Sequence, residues 1–305
     1  MKKLLSVTLV IVAAVGNLYG QQDPQFSQNM YNKLYVNPAF AGASGGLCGT
    51  LLYRNQWTGF EGAPQTGLIS VDAAVNPLHG GLGLTVMAAD ELGFENTLMA
   101  KLAYAFRFNL GSGEMAIGVD AGFMQKSLDG DFVFNDPGDN VIPEGSVSGS
   151  LIPDLGAGLY YSSDKLYIGA SMSHITEGEI EYDNFTSELA RHYYGMIGYR
   201  IDFTPSLSLT PSVFVKNVAS ETQVDANANL MINERIWVGG SYRIDDAIVV
   251  LAGINITPNL RLGYSYDITT SDLKDSSDGT HEIMLGYCYY FKPKVTPILR
   301  NVRFL

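Results

Sequence analysis

Beyond its first residues, the sequence lacks any apolar run approaching the roughly 20 residues that a membrane-crossing helix needs, which excludes a helical membrane protein. Cysteine is almost absent. Cys48 and Cys288 are the only two, too few for a disulfide-stapled secreted module or a thiolate metal centre. Basic residues are scarce, with 19 Lys and Arg against 31 Asp and Glu and a formal charge of −12. A nucleic-acid binder needs clustered positive charge to neutralise phosphates, so no nucleic-acid partner is expected. Histidine occurs four times, at His79, His174, His192 and His281, and no two have the short spacing of a ligand pair on one helix. Gly111-Ser112-Gly113 is a turn without the nucleophile-elbow spacing. No spacing demands a Ser/His/acid site, so the sequence points away from an enzyme and implies no cofactor and no metal. A linker rich in Pro, Ser or charge is also missing, and one domain is expected.

The first residues read as a secretory leader. Met1, Lys2 and Lys3 precede an apolar run from Leu4 to Val15, the pattern of a signal peptide over residues 1–20. Cleavage after Gly20 leaves Gln21 at the mature end, and cleavage after Gly16 is the alternative. Neither site is followed by cysteine, which argues against a lipid anchor.

From residue 45 to residue 291 the chain is a succession of segments of roughly ten residues that alternate apolar with small or polar side chains, broken by Gly, Pro, Asn and Asp, as in outer-membrane barrels. In the last segment Ile283, Leu285, Tyr287, Tyr289 and Phe291 share one face while Met284, Gly286, Cys288 and Tyr290 share the other. About fourteen such strands follow one another with no helical pattern between them. Short links such as Asn76-Pro77-Leu78 and Asn233-Glu234 alternate with longer ones: Gln56 to Pro64, Asp90 to Phe94, Leu128 to Ser148, Ile175 to Glu188, Asn217 to Glu221 and Thr270 to Gly279. Asp245-Asp246-Ala247 is a short exception. Short periplasmic turns and long outer loops are the rule of outer-membrane barrels, and a β-sandwich has no reason to follow it. The fold expected is therefore an all-β transmembrane barrel of about 14 antiparallel strands in the outer membrane, in contact with lipid.

Face parity supports this. Leu98, Ala100, Leu102, Tyr104, Phe106 and Phe108 fall on one side of the fourth strand, and Lys101 and Arg107 on the other. The same parity turns Arg54, Asp72, Asp120, Asp225, Asn227, Asn229, Arg243, Arg261 and Asp267 inward. Arg or Lys facing the bilayer midplane costs about 2–4 kcal/mol, so this sorting has to hold. Tyr53, Tyr160, Tyr161, Tyr193, Tyr194, Tyr289, Tyr290 and Phe291 lie near strand ends and read as an interfacial girdle. Residues 21–44 form either a periplasmic lead-in or a plug, and residues 292–305 a basic, proline-broken periplasmic tail. Cys48 and Cys288 fall on the inner faces of the first and last strands and read as two unpaired small residues. Barrel closure would bring their strands together, which leaves a seam disulfide conceivable.

Among candidate contact residues, His174 and His192 flank one outer loop and read as solvated, with cation or ligand contact as the other reading. Asp136, Asp139 and Asp154 lack the regular spacing of a calcium loop. Gln56, Trp57 and Phe60 lie just outside the first strand, where Trp57 and Phe60 either anchor at the lipid interface or line a seat for a partner. Acidic loops are usually solvated, and otherwise take a basic partner or cations.

The runs Gln22-Asp23-Pro24-Gln25-Phe26-Ser27-Gln28, Asn37-Pro38-Ala39-Phe40-Ala41-Gly42 and Tyr53-Arg54-Asn55-Gln56-Trp57, with His281-Glu282-Ile283-Met284-Leu285-Gly286-Tyr287 and the terminal Asn301-Val302-Arg303-Phe304-Leu305, resemble the PorP/SprF family of type IX secretion system membrane proteins. The resemblance implies an outer-membrane barrel without catalysis that works with type IX secretion components. It further implies secretion or surface attachment of large adhesins, including those of gliding motility, and a periplasmic peptidoglycan-binding partner. On that expectation Asp131, Phe134, Asp136, Asp139, His174 and Glu177 of the outer loops receive the C-terminal domain of a secreted cargo or adhesin. The segment from Gln21 to Gly42 and the tail, with Arg300, Arg303, Phe304 and Leu305, meet periplasmic partners. The alternative is a passive channel or hydrophobic-solute transporter.

Overall fold

The structure, a computed structural model, describes residues 23–59, 61–129, 145–219 and 221–291. Fourteen antiparallel strands close into a barrel: β1 (Leu47–Asn55), β2 (Gln65–Val75), β3 (Gly80–Glu91), β4 (Glu95–Leu110), β5 (Gly113–Leu128), β6 (Ile152–Ser162), β7 (Leu166–Ser173), β8 (His192–Tyr199), β9 (Leu207–Val218), β10 (Glu221–Ile232), β11 (Ile236–Arg243), β12 (Ala247–Asn255), β13 (Leu260–Thr269) and β14 (Thr280–Tyr289). Two strands are interrupted. Val147–Ser148 extends β6 along β5 after a slip at Gly149, and Ile201–Thr204 continues β8 along β9 past Arg200. The seam pairs β1 with β14 from Leu47 opposite Tyr289 to Asn55 opposite His281, so no edge remains to hydrogen-bond with lipid or a second chain. No helix among the described residues is long and apolar enough to cross a membrane.

The alternation read from the sequence is what the wall does. Along β4, Leu98, Leu102 and Phe106 are exposed, Leu102 to 67 %, while Lys101, Ala103 and Ala105 are buried in the lumen. Outward apolar side chains and inward charges suit a bilayer outside and a filled interior. Tyr160 and Tyr194 correct the aromatic-girdle expectation. Both are buried, Tyr160 edge-on to Phe40 and Tyr194 hydrogen-bonded to Asp23, because their strand parity turns them inward. Tyr53, Tyr193, Tyr289 and Phe291 remain on the outer surface, and Tyr290 is exposed just past the end of β14.

Two outer links are tighter than the sequence suggested. Leu92-Gly93-Phe94 alone joins β3 to β4, with Leu92 and Gly93 at positive φ, and β9 passes to β10 through residues 219–220, with Ala219 at positive φ. Such left-handed residues close tight hairpins. Among the fully described outer links, 174–191 and 270–279 keep the outer side the longer-looped one. Within 174–191 the small hairpin Glu179–Glu181 with Thr186–Glu188 folds over the barrel end and buries Ile180 against the core that contains Met124 and Ile152.

Cys48 and Cys288 are direct cross-strand partners on the lumen side and are joined by a disulfide, with Cα atoms 4.1 Å apart. This corrects the unpaired reading. Closure of the barrel, which no local pattern specifies, supplies the proximity.

The lumen holds the chain that precedes the barrel. Residues 23–46 run down its interior, through one α-helical turn (Lys33–Val36, α1) flanked by 3-10 turns at Asn29–Tyr31 and Pro38–Phe40, to the start of β1. Phe26 packs with Leu52, Met87, Met99, Trp237 and Met284; lower down, Leu34, Val36 and Ala39 pack with Ala105, Tyr160 and Phe214. The described part, 23–42, makes its contacts with the barrel's own wall. On the inner side a cavity of about 260 Å³ remains, lined by Lys33, Asp72 and Arg261 among others.

Candidate functional site: the seat of the lumen segment

Lumen-facing charges gather where the segment passes, and the sequence runs that stood out locally meet there. Ser27 is the centre. Its amide and that of Gln28 donate to the two oxygens of Glu282 at 2.8 and 2.9 Å. The Ser27 hydroxyl donates to Asp267 at 2.6 Å and accepts from Arg54 at 2.9 Å and Arg243 at 3.2 Å. Arg54 also pairs with Asp267 at 2.9 Å and Glu282 at 3.1 Å, and Arg243 pairs with Asp225 at 3.2 Å. Gln25 donates to Asp225 at 3.2 Å. These charges come from β1, β10, β11, β13 and β14, and all five side chains are at most 2 % exposed. Burying a charge is tolerable only when it is paired and hydrogen-bonded, so the wall strands and Ser27 satisfy one another.

Lower in the lumen the run from Asn37 to Gly42 is a fitted wedge. The Asn37 side chain accepts from the Ala39 amide at 3.0 Å and donates to the Leu159 carbonyl at 3.0 Å. Arg107 donates to the carbonyls of Ala39 and Ala41 at 3.2 and 3.3 Å. Gly42 has φ +74°, which glycine adopts without strain, and donates to Asp72 at 2.9 Å. Gly118 of β5 faces the backbone of Ala39 so closely that any side chain there would collide with it. The wall is carved for this segment.

At the outer end Asp23 is held at every polar group. Its carboxylate lies 3.0 Å from His174 Nε2 and accepts from the Tyr194 hydroxyl at 3.1 Å. Its amide donates to His192 Nε2 at 3.0 Å, and its carbonyl accepts from Lys216 at 3.1 Å. Behind His174, Nδ1 lies 3.0 Å from Asp154, which Lys101 approaches to 2.6 Å. Burial raises the Asp23 carboxyl, but His174 and His192 outweigh it and hold the group well below the usual carboxylate range. Burial opposes charge on His174, and Asp23 and Asp154 reverse it, pushing the imidazole up to about 9.

His174 and His192 correct the solvated reading. They are 0 and 2 % exposed, because both lie at inward-facing strand ends under the folded outer loop. Asp154 is likewise buried in a charge cluster. Glu177 stays exposed at the rim and pairs with Arg191 at 2.8 Å. Gln56 and Trp57 are half-buried there, the Trp57 amide donating to Thr280 at 3.0 Å. Phe60, Asp131, Phe134, Asp136, Asp139, Arg300, Arg303, Phe304 and Leu305 lie outside the described residues. Sequence reasoning missed Ser27 and Glu282 as seat residues. Their signal was present, since both lie inside the quoted motifs, but nothing local says that those motifs touch.

Among solved structures the chain is similar to the Acinetobacter baumannii outer membrane protein Omp33, with 9% identity over 80% of this chain and 96% of that one and a TM-score of 0.45. It is also similar to the P. putida toluene transporter TodX, with 11% identity, coverage of 86% and 95% and a TM-score of 0.46. A Pseudomonas aeruginosa FadL homologue is 13% identical, with coverage of 84% and 93% and a TM-score of 0.45. No protein of curated function matches the sequence. A family model does, over residues 18–287, and the chain therefore belongs to the family described as type IX secretion system membrane protein PorP/SprF.

Proposed function

We propose that this barrel serves type IX secretion as a plugged binding platform rather than as a conduit or a catalyst. Its outer end, with Gln56, Trp57, Glu177 and the acidic loop at 129–144, seats the C-terminal domain of a large secreted adhesin, and its basic tail engages periplasmic partners, a peptidoglycan-binding protein among them. The observation that carries the reading is the seat itself: residues 23–42 are tied into the lumen by Ser27, Asn37 and Gly42, through bonds to strands all round the wall. A channel for solutes has little use for an interior so committed to its own chain. The family supplies the secretion context.

The deciding experiment is affinity purification of the tagged protein from native outer membranes in mild detergent, with mass spectrometry and planar-bilayer conductance of the same preparation. A large secreted protein with a periplasmic partner, and a silent bilayer, is the expected outcome. Recovery of the barrel alone with steady single-channel conductance overturns the proposal in favour of a channel.

A further inference from the structure

We propose that Asp23, His174 and His192 form a chelating site for a first-row divalent cation, zinc by its donor chemistry, that ties the start of the lumen segment to the outer end of the barrel. The Asp23 carboxylate and one ring nitrogen from each histidine lie within 4.8 Å of one another. The two rings stand edge to face, 5.1 Å between centroids.

The support behind the rings is what metal-binding histidines require. His174 Nδ1 faces the Asp154 carboxylate at 3.0 Å, and His192 Nδ1 lies 2.9 Å from the Ala190 carbonyl. Ligating histidines almost always have their second nitrogen fixed in this way, by a carboxylate or a backbone carbonyl, which sets the ring and leaves the other nitrogen for the ion. Here both Nε2 atoms converge on Asp23. His174 Nε2 meets the carboxylate and His192 Nε2 accepts from the amide of the same residue, so both ring nitrogens are already turned to the point where an ion would sit. Two imidazoles and a carboxylate with one open position suit zinc, while calcium and magnesium require oxygen ligands.

Sequence spacing hides the site because His174 and His192 bracket an outer loop and Asp23 arrives from the far end of the chain. Tertiary structure brings them together at the ends of β7 and β8. His174 has φ 54°, a left-handed conformation rare for a residue with a side chain, and in it the ring points into the lumen. Binding would release the Nε2 proton that now faces Asp23 and turn the Asp23 amide away from His192.

The test uses full-length protein in detergent, carrying a tag without histidine, stripped with a chelator and titrated with zinc chloride against a chromophoric competitor. One equivalent should bind with sub-micromolar affinity. Asp23→Asn and His192→Gln, both checked for a heat-modifiable barrel, should each weaken that equivalent at least ~10-fold, as losing even a supporting group does in metal sites. A wild-type protein that binds no zinc, or folded variants that bind it as tightly as wild type, overturns the assignment. The assay does not depend on the secretion role.

Discussion

The Ser27 amide donates to Glu282 at 2.8 Å across 255 positions of sequence. Through this bond the run from Gln22 to Gln28 is fastened to the last strand of the barrel, with Arg54 of the Tyr53 to Trp57 run joining both. A seat built this way predicts that the lumen segment and the seam are stabilised together.

Glu282→Ala should release the segment. It strips two backbone donors and one guanidinium of their acceptor, and breaking a buried ion pair from one side costs about 3–5 kcal/mol. Limited proteolysis of intact detergent-solubilised protein should then cut within residues 23–42, where wild type resists. Equal resistance would show that the apolar packing of Phe26 and its neighbours suffices.

Gly118→Val should displace the wedge without abolishing the barrel, because the added side chain meets the Ala39 backbone whereas β5 keeps its ladder to β4 and β6. Overpacking of this kind costs roughly 1–3 kcal/mol. A cysteine placed at Ala39, which is fully buried, should become reactive to a membrane-impermeant thiol reagent in the double variant and stay inert when Gly118 is intact.

Replacing Cys48 and Cys288 by serine should leave the strand count unchanged, since nine residue pairs still join β1 and β14. Loss of the cross-link, which spans 240 positions, should lower stability by roughly 2–4 kcal/mol. The readout is the temperature at which the folded band disappears on non-reducing gels; an unchanged temperature refutes a stabilising seam bond.

Leu102→Arg should cost about 2–4 kcal/mol, the penalty for a cation facing lipid. Leu102 is among the most exposed apolar residues, at mid-strand in β4. Its neighbour Ala103 faces the lumen, and Ala103→Ser should change little by comparison. Folding yield into vesicles measures both, and equal yields would contradict the assigned faces.

The barrel was legible because a strand between lipid and lumen must alternate, and each residue reports its face. Lys101 and Leu102 could be sorted with no knowledge of their neighbours, as could Arg54, Asp267 and Arg243. Turn residues fixed the strand ends to within a few positions; the tight links at Leu92-Gly93 and Ala219 departed from expectation, where left-handed residues replaced loop length, as did the breaks at Gly149 and Arg200.

The remaining features were not local. Residues 23–42 have no sustained period, because their form is set by a lumen that exists only once the fourteen strands have closed. Closure also made partners of Cys48 and Cys288, gathered Asp23, His174 and His192, and put Ser27 between Arg54 and Glu282. The sequence by itself determined the alternation, the faces and the strand number, since those follow from the chemistry of each residue against lipid or lumen. The tertiary structure alone decided what fills the barrel and which distant charges pair, because buried charges find partners by proximity in space, and only the closed wall creates that proximity.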